Sequence, residues 1–163
     1  MQRNLRLGAI VALVLAVSAI TAASASSPSH RNDGRSVEVL RLLSTTVQES
    51  PESQTPPVVG DSFAFSDDLF ERGTKIGILG GVGTFVRFDP TADSATANLV
   101  LTAELPRGQL TMQGLVTFSE QGPGRFQLAI TGGTGRYRTA HGEVFVRETD
   151  DEDTVMVKVV IIR

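Results

Sequence analysis

The sequence of 163 residues contains no cysteine. A domain built from it cannot be held by disulfides. Thiolate nucleophiles, cysteine zinc sites and a lipid-modified cysteine after a leader are excluded with them. Histidine is nearly as scarce: His30 and His141 are isolated, and their carboxylate neighbours lack ligand spacing, so no metal and no cofactor are expected. The acidic run Asp150-Asp151-Glu152-Asp153 lacks the spaced ligands and turn glycine of a calcium loop, and reads as a solvated hairpin tip. No basic stripe is visible in a chain of net charge −3, which argues against a nucleic acid partner. No Ser/His/Asp grouping for nucleophilic catalysis stands out. After the first 25 residues a helical stripe is also missing, with Ser36 to Glu49 the one doubtful window.

Those first residues have a different character. Arg3 and Arg6 form a basic start, Ala9 to Ile20 a short apolar run, and Ala23-Ser24-Ala25 an A-x-A cleavage site. This is the layout of a secretory signal peptide, here residues 1–25. The run is shorter than the roughly 20 apolar residues of a spanning helix, so the reading is a secreted protein with no stable membrane anchor after cleavage. Residues 26–35 (SSPSHRNDGR) are small and polar and read as a disordered mature N-terminus. Residues 36–163 suit a single domain.

Within that domain the apolar residues alternate. Strands are expected over Ser36 to Leu43, Asp61 to Phe65, Thr74 to Phe88, Ala95 to Leu105, Gln109 to Ser119, Arg125 to Thr131, Gly142 to Glu148 and Thr154 to Ile162. The polar segment from Ser44 to Pro57 reads as a loop. Ala97, Leu99, Leu101, Ala103 and Leu105 share one face of their strand, as do Leu110, Met112, Val116 and Phe118 of the next. Asp89-Pro90, Pro106-Arg107-Gly108 and Gly122-Pro123-Gly124 mark turns between strands. About eight short strands with tight turns indicate an all-β fold, preferably a closed, eight-stranded antiparallel β-barrel rather than a sandwich. The last strand is apolar on both faces, through Val160 and Ile162. It either closes the barrel beneath the N-terminal segment or forms a subunit interface.

Two glycine runs invite a nucleotide-binding reading, and both fail it. In Leu128 to Val146 (LAITGGTGRYRTAHGEVFV), Arg138 occupies the last glycine position of a TGxxGxxG spacing, and a strand-like GEVFV follows instead of a helix. Gly80 to Gly83 is likewise followed by strand-like TFVRF. Both read as glycines serving backbone geometry.

Several segments together resemble the allene oxide cyclase and dirigent barrel superfamily. They are Val59-Gly60-Asp61 through Phe65, Asp67-Asp68-Leu69-Phe70, Lys75-Ile76-Gly77, Leu110 to Gly114, and above all Leu128 to Val144. The resemblance implies a calycin-like barrel around an apolar cavity, often assembled as a homotrimer. The implied ligand is a small apolar molecule. The implied activity is that of a cofactor-free isomerase or cyclase, which favours one ring closure by holding a flexible substrate in a dry pocket. The alternative is the same barrel as a non-catalytic carrier or structural module.

The resemblance also nominates residues. Glu38 stands at the first-strand glutamate of plant cyclases, with Leu40 where they have Asn. Asp67 and Asp68 match acids of dirigent proteins, and Arg136 stands where those proteins have an Asp after the glycine turn. Asp67 or Asp68 is then either a desolvated pocket acid or part of an Asx turn. Arg87, Arg125 and Arg136 are either carboxylate anchors or solvent-facing cations. Tyr137 is either a hydrogen-bond donor to the ligand or a packed ring.

Overall fold

A computed structural model describes residues 36–50, 57–151 and 153–163; the expected signal peptide (1–25) and the polar 26–35 segment lie outside them. Eight strands make up the domain: β1 (Val37–Glu49), β2 (Ser62–Glu71), β3 (Thr74–Asp89), β4 (Ser94–Leu105), β5 (Gly108–Phe118), β6 (Arg125–Gly133), β7 (His141–Glu148) and β8 (Thr154–Ile162). A 3-10 turn, Gly135–Tyr137, precedes β7. Each strand pairs antiparallel with the next, and β8 returns to pair with β1 over nine residues. The expected closed barrel is the fold observed.

Period two decides what fills it. On β4 the residues from Ala95 to Leu105 at every second position are all at most 7% exposed, while Thr96, Asn98, Val100 and Thr102 face outward. Leu110, Met112 and Val116 of β5, and Leu128 and Ile130 of β6, complete that side of the core. β8 sends Val157, Val159 and Ile161 inward and leaves Val160 and Ile162 half-buried outside. It is the strand that closes the ladder.

Two boundaries differ from expectation. β1 runs on through Glu49 rather than stopping at Leu43, because Ser44 to Glu49 pairs with Phe65 to Leu69 of β2. Cross-strand pairing there overrides a composition that reads locally as loop. β2 likewise extends to Glu71, so Asp67 and Asp68 sit in mid-strand and not in a turn.

Each glycine run has a structural task. Side chains at Gly81 and Gly83 would collide with the rings of Phe65 and Phe63 (2.7 and 2.2 Å from an added Cβ). The run therefore makes room for aromatics inside the barrel. Phe63 packs against Phe85 at 5.4 Å and edge-on to Phe118 at 6.0 Å, closing the end where β5 finishes. At the opposite end the GGTG turn is buckled to the β4–β5 hairpin. Thr134 N–H donates to the Gln109 carbonyl and Arg136 N–H to the Arg107 carbonyl, both at 2.8 Å. These amides serve the hairpin rather than a phosphate.

Candidate functional site

Counting inward from Leu42, the next two inward positions on neighbouring strands are Ser44 on β1 and Asp67 on β2, and both are buried. They line a cavity of about 80 Å³ in the middle of the barrel. All eight strands contribute to its wall, mostly through Leu, Val and Ala. Asp67 is its one charged group and Ser44 the one other polar side chain. Ser44 Oγ donates to Asp67 Oδ2 at 2.6 Å. Asp67 Oδ1 is buried without a partner.

That asymmetry has a chemical consequence. Burial pushes the Asp67 carboxyl above the ordinary range, against the lowering effect of the Ser44 and Thr46 hydroxyls, and the neighbouring Asp68 charge adds to the rise. When protonated, with Oδ2 accepting from Ser44, the carboxyl can carry its hydrogen on the unpartnered Oδ1. It can donate to a ligand oxygen or nitrogen and take a proton back. The half-buried rings of Phe65 and Phe126 are the aromatic part of the wall.

Asp68, one residue on, points the other way and pairs with Lys75 at 2.6 Å on the outside. Of the two acids only Asp67 reaches the interior.

Glu38 lies at the far end of the barrel from the Phe cluster. Arg163 holds it by a short hydrogen bond, and Arg136 lies at 3.6 Å. Tyr137, 3% exposed, packs beside this group. Burial raises its hydroxyl above the ordinary range, helped by the Glu38 charge and opposed by Arg107, Arg136 and Arg163. Glu38 and Tyr137 also line a shallow pocket of about 360 Å³ with Glu71 and Arg107. Tyr137 is thus a packed ring at the rim, and Arg136 partners an acid rather than an interior ligand. The Glu38 group is separate from the Asp67 cavity: none of its members lines that wall. Glu38→Gln is expected to cost about 1 kcal/mol of stability, since the pair is partly exposed. A urea melt should show this loss without a change in any interior binding.

Two arginines require correction as interior anchors. Arg87 follows an irregularity in the β3–β4 register, lies with 73% of its side chain exposed, and faces Asp89 at 3.7 Å. Arg125 alternates with inward Phe126 and so lies on the outer wall. Neither can touch a molecule inside. The residue that sequence reasoning missed is Ser44. A strand continued past Leu43 would have placed it on the Leu42 face, directly in phase.

Comparison with known proteins fits this geometry. Residues 42–161 match the family described as the allene oxide cyclase barrel like domain. A pyocyanin demethylase shares 27% identity and superposes with a TM-score of 0.61, over 76% of this chain and 99% of that one. The exo-specific intermolecular Diels-Alderase AbnU superposes with a TM-score of 0.68 at 16% identity, over 79% of this chain and 98% of that one. The pterocarpan synthase dirigent protein GePTS1 does so with a TM-score of 0.61 at 15% identity, over 86% and 96%. At their low identities the last two share the fold alone. No curated protein matches the chain. With its closed eight-stranded barrel and a family match across most of its length, the chain belongs to the allene oxide cyclase barrel-like family.

Proposed function

We propose that the barrel binds a small, largely apolar molecule against Asp67 and steers a ring closure or isomerisation of it without a cofactor. The observation that carries this reading is the buried, unpartnered Oδ1 of Asp67 in an otherwise apolar wall. An isolated acid in such a wall is costly to stability, and groups of this kind gather where proton transfer is needed. In the reaction, Oδ1–H donates to a carbonyl or similar oxygen as a bond forms across the substrate. The resulting carboxylate, held by Ser44, then removes a proton from a neighbouring carbon. The net change is an isomerisation, with no electrons gained or lost.

The cavity of about 80 Å³ holds a group of a few heavy atoms, below the several hundred Å³ of a typical ligand pocket. A larger substrate needs Phe65 or Phe126 to swing aside. The second reading is the same cavity as a site that holds a ligand without altering it. Export and assembly as a homotrimer belong to the same proposal, on the leader and the family resemblance respectively. Light scattering on the mature domain tests the assembly.

Binding is tested by native mass spectrometry after incubation with a culture extract, and with pyocyanin, the compound named for the 27% identical structure. Wild type should retain an apolar species, and Ala103→Phe, which fills the cavity from β4, should retain at least tenfold less. Equal retention by a folded Ala103→Phe protein, or none by wild type, contradicts the interior site. Turnover by wild type but not by Asp67→Asn separates the enzyme from the carrier.

A further inference from the structure

A second site lies on the outer wall of β5 to β8 and β1, backed by Phe126, Val146 and Val157 of the interior wall. There a groove of about 850 Å³ runs past Leu115, Arg125, Phe145, Arg147, Met156 and Lys158, with Arg41 at its margin. The ladder between β5 and β6 ends at Gln113 and Ala129, so the two strands part along the upper groove.

Its charges are arranged against stability. Arg125 stands directly opposite Arg147 across the β6–β7 ladder, and Arg41 directly opposite Lys158 across β1–β8. Like charges facing each other on one side of a sheet repel. Among the described residues none of the four makes an ion pair with a carboxylate. Arg147 instead donates to Met156 Sδ at 3.1 Å, and Lys158 lies 5.3 Å from the centre of the Phe145 ring. Between the cations the floor is apolar: Leu115 is 64% exposed and Met156 37%. Four concentrated positive charges in a chain of net charge −3 call for an anion, and the apolar floor calls for a hydrophobic body attached to it. A purely ionic polymer would meet the charges and leave Leu115, Phe145 and Met156 uncovered.

We infer that this groove binds an amphipathic organic anion, an aromatic or aliphatic carboxylate or sulfonate whose head lies among Arg41, Arg125, Arg147 and Lys158. The four cations belong to this groove and not to the wall of the interior cavity, although Phe126, Val146 and Val157 line both, so the inference does not depend on a ligand inside.

The probe is 8-anilinonaphthalene-1-sulfonate, with neutral N-phenyl-1-naphthylamine as the same body without the sulfonate. Titrated by fluorescence, the sulfonate should bind wild type at least tenfold more tightly than the neutral compound. Replacing all four cations by Gln should remove at least tenfold of that affinity and leave the neutral compound unchanged. The same variant should melt at a higher temperature than wild type, because two repulsive pairs are gone; the rise shows that lost binding is not lost folding. Ala103→Phe should leave sulfonate binding unaltered, whatever it does to ligands inside. Sulfonate affinity that ignores the four substitutions overturns the inference, as does affinity abolished by Ala103→Phe. A short DNA duplex that outcompetes the sulfonate through the same four residues also overturns it, by making the face a polyanion surface.

Discussion

Asp67→Asn is expected to flatten the dependence of stability on pH and to abolish proton transfer while sparing binding. The folded carboxyl keeps its proton to higher pH than an unfolded one, so between those two values the native state binds more protons. Stability linked to the neutral acid is complete below the unfolded value, about 3.9 for Asp, and is lost as pH rises through the raised native value. Asn cannot ionise. At pH 4 the variant should match wild type or fall at most about 1 kcal/mol below it, since one amide hydrogen lacks a partner. By pH 8 it should be more stable by about 1–3 kcal/mol, the typical cost of a buried polar group left without partners. Urea melts across pH 4 to 8 make the comparison, and two parallel profiles are the adverse result. On a substrate the wild type turns over, the rate should fall about 100-fold or more, with affinity within threefold. An unchanged rate would remove Asp67 from the chemistry.

The second large effect concerns the glycine turn. Gly142, the second residue of β7, has φ of +138° and lies so close to β8 that an added Cβ would be 2.1 Å from the Val160 carbonyl oxygen. Neither backbone can retreat without breaking the β7–β8 ladder, which runs from His141 to Glu148. Gly142→Ala should therefore cost more than about 3 kcal/mol, from left-handed strain and the clash together. Gly124 supplies the comparison: its φ is +61°, but nothing lies within 4 Å of the same Cβ. Gly124→Ala should cost only about 1 kcal/mol. Chemical denaturation of the two variants reads the difference, and equal losses would mean that φ alone, not the close approach, requires glycine at 142.

Most of the barrel was legible because alternation is a property of consecutive residues. The alternating faces of β4, β5 and β6 follow from Ala97 to Leu105, Leu110 to Phe118 and Phe126 to Ile130 without knowledge of any partner strand; which face points inward did not, and the burial of Ala97, Leu110 and Leu128 decides it. The ends of β1 and β2 were not legible. Ser44 to Glu49 and Ser66 to Asp68 have the composition of loops and become strands only by pairing with each other. The same composition left Asp67 open between a pocket acid and an Asx turn, since an Asp in a turn has no inward direction. Its partner Ser44 was not seen at all. The outer cation cluster was missed for a different reason, although Arg125 by itself was a candidate. Arg41, Arg125, Arg147 and Lys158 lie on four different strands, β1 and β6 to β8, and only the ladder registers bring them to one face. A stripe built across strands leaves no run of charge in the chain. The glycine runs show the reverse: correctly read as geometry, their purpose became visible only with the Phe63 and Phe65 rings and the Arg107 and Gln109 carbonyls in place.

The central claim is that Asp67 is an acid that holds its proton more tightly than an ordinary Asp and faces an apolar cavity. The most direct measurement is the carboxyl carbon shift of Asp67 followed by NMR across a pH titration, with Asp67→Asn to assign the signal. A midpoint clearly above the ordinary Asp value of about 3.9, moving further when an interior ligand is added, is the expected result. A midpoint at or below that value would mean an ionised carboxylate, satisfied by Ser44 and solvent, and would contradict the interior acid and the chemistry built on it.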